Sequence, residues 1–146
     1  MTTDLQAPLG ERAVNGLTRR LVLLSLGGYW IALFVATHVP MPDLGDAPTH
    51  SDKVMHLTAY AGLSVLLMAW IWSTRAVRPK HFLAVWVIVA CYGVTDELLQ
   101  GLVGRQMDVK DWLADIVGAG LGLTACAIVG GLLPALNRKR RARSSA

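Results

Sequence analysis

Four long apolar runs divide this chain and together cover most of it. They extend over residues 21–42, 54–74, 81–103 and 112–137. Each is close to the roughly 20 residues that a helix needs to cross a hydrocarbon core about 30 Å thick. Prolines and glycines cluster in the two longer loops between them. The pattern therefore predicts an all-α protein, an integral membrane four-helix bundle.

The composition agrees with this prediction. Of the 146 residues, 53% are hydrophobic and 16% are charged, and the mean hydropathy is +0.44, which excludes a disordered chain. We divide the sequence into an N-terminal segment (1–20), a four-span domain (21–137) and a basic tail (138–146). A positive segment before an apolar run also suits a signal peptide, but this run is long for one and no A-x-A cleavage pattern follows it.

The basic residues predict how the helices are oriented, because short cytoplasmic loops are enriched in lysine and arginine. If the N-terminus is cytoplasmic, that side holds 11 of the 14 basic residues: Arg12, Arg19, Arg20, Arg75, Arg78, Lys80, Arg138, Lys139, Arg140, Arg141 and Arg143. Only Lys53, Arg105 and Lys110 lie on the outer side of the membrane in this orientation. We therefore expect an N-in, C-in protein with both termini cytoplasmic.

The net charge of +4 does not indicate a nucleic-acid partner, because the basic residues lie between apolar runs rather than on one soluble face. The terminal run NRKRRAR is typical of an orientation signal with affinity for anionic lipid headgroups. Cys91 and Cys126 both lie inside apolar runs, and their spacing indicates neither a disulfide framework nor a metal motif.

The acidic residues have the opposite distribution. Asp4 and Glu11 fall on the cytoplasmic side, and the other acids fall on the outer side or just inside the membrane there: Asp43, Asp46, Asp52, Asp96, Glu97, Asp108, Asp111 and Asp115. A solvated loop explains Asp43 and Asp46. The remaining six are candidates for a site at the outer ends of the helices.

Three of these acids share one face of the predicted fourth helix. Asp108, Asp111 and Asp115 are spaced i, i+3, i+7, and Gly118 and Gly122 continue the same face with the small-residue spacing that lets membrane helices pack closely. The acids are therefore expected to point into the bundle. A structural alternative is that Asp108 is the N-cap of this helix and Asp111 its capping-box partner.

Two further groups lie at the same depth. Near the end of the third run, Glu97 and Gln100 are three residues apart, and ionisable residues there indicate a functional site by default. At the start of the second run, Asp52, His56 and Tyr60 follow one another at intervals of four, beside Lys53.

Each group also has a structural explanation. Glu97 could form a salt bridge with Arg105 or Lys53, and Asp52 could form a capping box with Thr49. His56 could be a buried histidine bound to a neighbour.

Six acids at the helix ends face only three basic residues, so pairing alone does not neutralise them. Some carboxyl groups could stay protonated, a divalent metal could bind, or a cationic group of a ligand could complete the site. Histidine with carboxylates suits a metal, although no H-E-x-x-H or comparable spacing supports one. We predict no organic cofactor and leave a metal open.

These residues form a recognisable set of motifs. They are D-K-x-x-H-x-x-x-Y at Asp52, Lys53, His56 and Tyr60; E-x-x-Q at Glu97 and Gln100; and R-x-x-D-x-x-D at Arg105, Asp108 and Asp111. With the glycine-rich helix that follows, the set resembles the VanZ-like family over residues 40–122. That family takes its name from a protein associated with teicoplanin resistance, and its pattern usually has asparagine where this sequence has Asp115.

The resemblance implies a small bacterial multi-pass protein of the cytoplasmic membrane, and it does not supply a reaction. Our first hypothesis is a site that faces outward and binds or protects a cell-envelope lipid or lipid-linked precursor, with an effect on teicoplanin-type susceptibility. Lys53 and Arg105 would bind phosphate or carboxylate, and the acids would receive amine or amide donors. The binding residues would be Asp52, Lys53, Tyr60, Gln100, Arg105, Asp108 and Asp115.

The alternative is an intramembrane hydrolase or transferase acting on an outer-leaflet lipid or a polyprenyl-linked substrate. Glu97 would be the general base, His56 the acid or second base, and Asp111 would position them. A proton-coupled transporter is a poorer hypothesis, because four short spans contain no broken-helix repeat. The sequence does not indicate the oligomeric state.

Overall fold

The computed structural model describes residues 9–38, 49–104 and 107–144, with side chains described for 16–38, 52–104 and 107–131. These residues form four helices: α1 (Leu9–His38), α2 (Thr49–Thr74), α3 (Pro79–Leu102) and α4 (Val109–Ser144). The described part of the chain contains no strand. The all-α prediction is therefore confirmed.

All four helices are long and apolar enough to cross a membrane. The candidate spans are Gly16–His38, Asp52–Thr74, Pro79–Leu102 and Val109–Gly131, close to the predicted runs. The first and last helices extend further than the predicted runs, because α1 begins inside the segment 1–20 and α4 continues into the tail 138–146. Large apolar side chains such as Leu24 and Ile31 are about 70% exposed, as expected of a surface that faces lipid.

The closest packing in the bundle is between α2 and α4, which run parallel. Gly118 and Gly122 lie directly against α2: an added Cβ would meet the Leu57 carbonyl at the first position and the Ser64 side chain at the second. Ser64 Oγ also donates a hydrogen bond to the backbone oxygen of Ala119, at 3.2 Å. The small-residue face predicted from the sequence therefore forms the central helix contact.

Among the described residues, α1 packs on α2 and α3 packs mainly on α4, and both run antiparallel to the central pair. On α1, Tyr29 donates a hydrogen bond from its hydroxyl to the backbone oxygen of Ala59 in α2, at 2.8 Å. Between α4 and α3, the indole of Trp112 donates to the backbone oxygen of Ala90, at 3.1 Å. Direct contact between α1 and α3 is the smallest of the helix contacts.

This arrangement gives the bundle two chemically different ends. At the polar end, α1 finishes at His38, α2 begins at Thr49, α3 finishes at Leu102 and α4 begins at Val109. The opposite end, here called the basic end, holds the short connection 75–78, the beginning of α1 and the end of α4. Between the ends lies an apolar core formed by Leu26, Leu33, Tyr60, Leu63, Met68, Val85, Val89, Ala119, Leu123 and Cys126.

Candidate functional site

The start of α4 is fixed by two carboxylates from different helices. Asp108 directly precedes α4, and its Oδ1 accepts a hydrogen bond from the backbone N–H of Lys110, at 2.8 Å. The backbone N–H of Asp108 in turn donates to Glu97 Oε2, at 2.9 Å. Asp108 is therefore the N-cap, as the structural alternative predicted. The reciprocal contact, however, comes from Glu97 on α3 rather than from Asp111.

Lys53 joins the beginnings of α2 and α4. Its Nζ lies 3.3 Å from Asp108 Oδ2 and 3.2 Å from Asp111 Oδ1. The hydrogen bond from the Lys110 N–H, and then the Lys53 ammonium, lower the pKa of Asp108 below its usual value. The alternative salt bridge between Lys53 and Glu97 is not what forms, because Lys53 contacts these two aspartates.

Below Lys53 and its two aspartates, three buried ionisable side chains from three helices meet. Asp115 Oδ1 of α4 accepts a hydrogen bond from His56 Nδ1 of α2, at 2.9 Å. Asp115 is completely buried, and Glu97 is 7% exposed. One oxygen of each carboxylate, Asp115 Oδ2 and Glu97 Oε1, is buried without a hydrogen-bond partner among the described residues.

Asp115 fits here because α3 carries glycine opposite it. A Cβ added at Gly93 would lie 3.0 Å from Asp115 Oδ2 and 3.1 Å from Cδ1 of Trp112. Real Cβ atoms rarely approach other atoms so closely, so a larger residue would displace the carboxylate. Gly93 thus sets the distance between α3 and the acid.

A second buried acid joins α1 to α3. Asp96 is 1% exposed, and its Oδ1 accepts a hydrogen bond from Thr37 Oγ1, at 3.0 Å. Its Oδ2 accepts one from Gln100 Nε2, at 2.9 Å. His38 lies beside this group, with Nδ1 3.7 Å from Asp96 Oδ1. Asp96 therefore has neutral donors on both oxygens, unlike Glu97 and Asp115.

Two tyrosines lie beneath the acids. The rings of Tyr60 and Tyr92 stack with centroids 5.9 Å apart, and Trp30 packs edge-on against Tyr92 at 5.1 Å. Both tyrosine hydroxyls are buried without a hydrogen-bond partner within the described part of the chain. They lie close enough to Asp96 and Asp115 for electrostatic interaction. The polar cluster therefore rests on an aromatic layer.

A small cavity opens between α1 and α2 next to His56. Its volume is about 60 Å³. Its lining is formed by Leu33, Ala36, Thr37, Asp52, Met55, His56 and Ala59. The walls are mostly apolar, and the polar groups of Thr37, Asp52 and His56 are contributed by both helices. The cavity thus brings aliphatic surface next to the ionisable cluster.

Two overlapping groups have side chains placed to share a cation. In the first, ligand atoms of His56, Glu97 and Asp115 all lie within 4.8 Å of one another; the second consists of Asp52, His56 and Asp111. All three members of the first group are buried, whereas Asp52 in the second is half-buried. Both groups include His56.

The structure brings most of the predicted site residues together. At the polar end lie Asp52, Lys53, His56, Tyr60, Glu97, Gln100, Asp108, Asp111 and Asp115. Asp111 was predicted to position the acid and base, but His56 donates its hydrogen bond to Asp115. Arg105, Asp43 and Asp46 lie outside the described residues, as does the side chain of Thr49.

Sequence reasoning missed Thr37 and Tyr92. Tyr92 precedes Asp96 by four residues, so helical spacing places it on the same face and could have identified it. Thr37 is one of several threonines near helix ends, and nothing in its own sequence context indicates that it contacts Asp96. Only the packing of α1 on the bundle identifies it.

Residues 16–130 match the family model described as VanZ/LLP1. No curated protein matches the chain, and no solved structure does.

Proposed function

Because the chain belongs to the VanZ/LLP1 family and folds into four helices able to span a membrane, we propose that its polar end binds the headgroup of an amphiphilic cell-envelope molecule. This ligand is a membrane lipid or a lipid-linked envelope precursor. We further propose that the polar end faces outward from the bacterial cytoplasmic membrane, with both termini cytoplasmic. Binding or protecting such a ligand would alter susceptibility to teicoplanin-type glycopeptides.

The cavity between α1 and α2 is the observation that carries this proposal. Its apolar lining suits the part of an acyl or polyprenyl chain next to the headgroup, while Thr37, Asp52 and His56 offer polar contacts. Ligand sites in proteins are typically of this kind, mostly apolar with a few placed polar groups. At about 60 Å³, the cavity accommodates a small part of a ligand, so the rest would lie along the bundle surface in the bilayer.

The charges favour a headgroup that donates hydrogen bonds. Lys53 is bound by Asp108 and Asp111, whereas Asp52 is one of the residues that line the cavity. Carboxylates form their strongest hydrogen bonds with charged donors. An amine or a set of hydroxyl groups therefore suits the cavity better than a phosphate alone, and Arg105 would contact any phosphate that accompanies it.

The proposal is tested by identifying what copurifies with the protein. Full-length protein is extracted from bacterial membranes in a mild detergent, and bound lipids and precursors are measured by mass spectrometry. Ala36→Leu places a larger side chain at the cavity, and Asp52→Asn removes the charge. Ala32→Leu is the matched control, because Ala32 lies one turn earlier on α1, is exposed and does not line the cavity.

We expect one lipid or precursor class to be enriched with the wild type and with Ala32→Leu, and to be lost from Ala36→Leu and Asp52→Asn. The same profile for all four proteins would contradict the proposal. Comparison of teicoplanin susceptibility in cells that express these proteins at equal membrane levels then tests the physiological effect.

A second candidate, an intramembrane hydrolase or transferase, is favoured by the contact between His56 and Asp115. A buried carboxylate that binds one imidazole nitrogen orients the ring and stabilises its protonated form, as in hydrolase triads. Glu97 would be a general base beside it, with its Oε1 unpartnered among the described residues. The substrate would be an outer-leaflet lipid or a polyprenyl-linked molecule.

The two functions differ in the effect of Glu97→Gln. Catalysis by Glu97 would fall by about 10²-fold or more without the carboxylate, and an envelope lipid or precursor would accumulate or disappear in cells expressing wild type but not the variant. Binding at the cavity would persist, because Glu97 does not line it. An unchanged lipid and precursor profile would contradict the catalytic function.

A further inference from the structure

We propose that His56, Glu97 and Asp115 bind a divalent transition-metal cation between α2, α3 and α4. The proposal concerns the ion alone and does not depend on the proposed lipid function. It rests on the spacing of three side chains, on two unpartnered oxygens and on the charge of the surrounding groups.

The spacing fits a single ion. Ligand atoms of the three side chains lie within 4.8 Å of one another. Zinc binds nitrogen and oxygen ligands tetrahedrally at about 2.0–2.2 Å, so its ligand atoms lie roughly 3.3–3.6 Å from one another. Ligand atoms as far apart as 4.8 Å would therefore approach one another by about 1 Å to surround a tetrahedral ion.

The unpartnered oxygens leave two acceptor positions of the cluster without a hydrogen-bond donor. Glu97 Oε1 and Asp115 Oδ2 are buried with no hydrogen-bond partner in the described ranges, and their residues are 7% and 0% exposed. A buried ionised carboxylate is strongly unfavourable unless it is paired or coordinates a metal. Two such oxygens and one imidazole could together serve as the ligands of a cation.

The other oxygen of each carboxylate is already held in place. Glu97 Oε2 accepts the backbone N–H of Asp108, and Asp115 Oδ1 contacts His56. Hydrogen bonds of this kind orient ligating carboxylates in known metal sites. The protein thus fixes both acids while leaving one oxygen of each available.

No described basic side chain can replace the ion. Lys53 is bound by Asp108 and Asp111, and Lys110 is exposed. The imidazole of His56 supplies at most one positive charge for two buried carboxylates. A divalent cation would balance the charge of both acids with the imidazole neutral.

The donor set also selects the class of metal. Imidazole suits zinc, iron, copper and nickel, whereas calcium and magnesium prefer oxygen ligands alone. One nitrogen with two carboxylates therefore favours zinc or a similar first-row ion. The overlapping group of Asp52, His56 and Asp111 is the weaker candidate, because Asp111 is engaged by Lys53 and Asp52 is half-buried.

The test measures Zn²⁺ binding to purified full-length protein. The protein is stripped with EDTA in detergent, dialysed against graded free Zn²⁺, and its metal content is measured by mass spectrometry. The ligand variants are Glu97→Gln and Asp115→Asn, which preserve side-chain shape. Asp96→Asn is the matched control, since Asp96 is an equally buried acid on α3 whose two oxygens are bonded to Thr37 and Gln100.

We expect about one saturable Zn²⁺ per chain in wild type and Asp96→Asn. In each ligand variant the affinity should fall by more than the roughly 10–100-fold that loss of a residue supporting a ligand costs. No saturable binding to wild type overturns the proposal, and so does equal affinity in Glu97→Gln and Asp115→Asn. Loss of binding only in Asp52→Asn and Asp111→Asn also overturns it, since the ion would then lie in the other group.

A spectroscopic measurement keeps the test valid if the ligand variants fail to fold. Cu²⁺ added to stripped wild type should show electron paramagnetic resonance coupling to one imidazole nitrogen. His38→Ala and His81→Ala should retain this coupling, because neither residue belongs to the cluster. A spectrum without nitrogen coupling overturns the proposal.

The cavity variant separates this site from the proposed function. Ala36→Leu should retain Zn²⁺ while losing the copurified lipid. Absence of Zn²⁺ binding would contradict only the metal site. Absence of a copurified lipid would contradict only the proposed lipid function.

Discussion

Glu97 on α3 accepts a hydrogen bond from the backbone N–H of Asp108, the residue that caps α4, at 2.9 Å. The contact spans the connection between the two helices and satisfies a main-chain donor at a helix start, where such donors lack partners within the helix. A carboxylate there also interacts favourably with the helix dipole. Glu97 therefore fixes the position of α4 as well as contributing to the candidate site.

Replacing Glu97 should separate these two roles. Glu97→Ala removes the acceptor for the Asp108 N–H and should lower the free energy of unfolding by about 1–3 kcal/mol, as expected for a buried hydrogen bond to a charged group. Glu97→Gln retains an amide oxygen and should lose less. Thermal unfolding in detergent, followed by tryptophan fluorescence, measures both. Equal stability of Glu97→Ala and wild type would contradict the anchoring role.

The four helices and the faces of α4 could be predicted from the sequence because both depend on short-range pattern. Apolar runs of sufficient length fix the spans, and the spacing of Asp111, Asp115, Gly118 and Gly122 places them on one side of one helix. The structure shows that side facing α2. Predictions of this kind need no knowledge of where other helices lie.

The partners across helices could not be predicted in the same way. Spacing indicates which residues share a face, but the rotation of each helix about its axis and its depth relative to its neighbours are set by packing. The sequence therefore predicted Asp111 as the partner that completes the cap of α4, and the structure places Glu97 there instead. The contact between Thr37 and Asp96 has the same origin, because it depends on how α1 packs on the bundle.

The parallel contact of α2 with α4 predicts a sharp sensitivity to added volume. At Gly118 an added Cβ would collide with the Leu57 carbonyl, which is backbone and cannot move without shifting α2. Gly118→Ala should destabilise the protein by about 1–3 kcal/mol, the usual cost of overpacking. Thermal unfolding of the purified variant measures this effect.

Gly131 provides the matched control for Gly118. It lies on the same helix with no atom within 4 Å of an added Cβ, so Gly131→Ala adds the same methyl group without a collision. Alanine is a better helix former than glycine by roughly 0.5–1 kcal/mol, and this variant should be as stable as wild type or more so. Similar destabilisation by both substitutions would show that α2 does not approach Gly118 closely.

The lowered pKa of Asp108 predicts a loss of stability in acid. The Lys110 N–H and the Lys53 ammonium keep this carboxylate ionised in the folded protein at a lower pH than in the unfolded chain. Its contribution is therefore fully present above the unfolded pKa of about 4 and disappears as the pH falls through the folded pKa. Acidification should weaken the contact between the starts of α2 and α4.

Asp108→Asn tests this pH dependence, because asparagine is also a good N-cap but carries no charge. At pH 7 the wild type should unfold at a higher temperature than the variant, and the difference should shrink between pH 5 and pH 3. Thermal unfolding at a series of pH values gives the comparison. A difference that stays constant over this range would show that the charge of Asp108 does not contribute.

The last prediction concerns the side of the membrane that the polar end faces. Met107 is exposed beside the start of α4, and Ala76 is exposed in the connection between α2 and α3 at the basic end. The basic residues Arg75, Arg78 and Lys80 around Ala76 favour a cytoplasmic location for that connection. In a variant lacking Cys91 and Cys126, Met107→Cys should react with an impermeant maleimide in intact cells. Ala76→Cys should react only after permeabilisation, and the reverse pattern would place the termini outside, with the candidate site facing the cytoplasm.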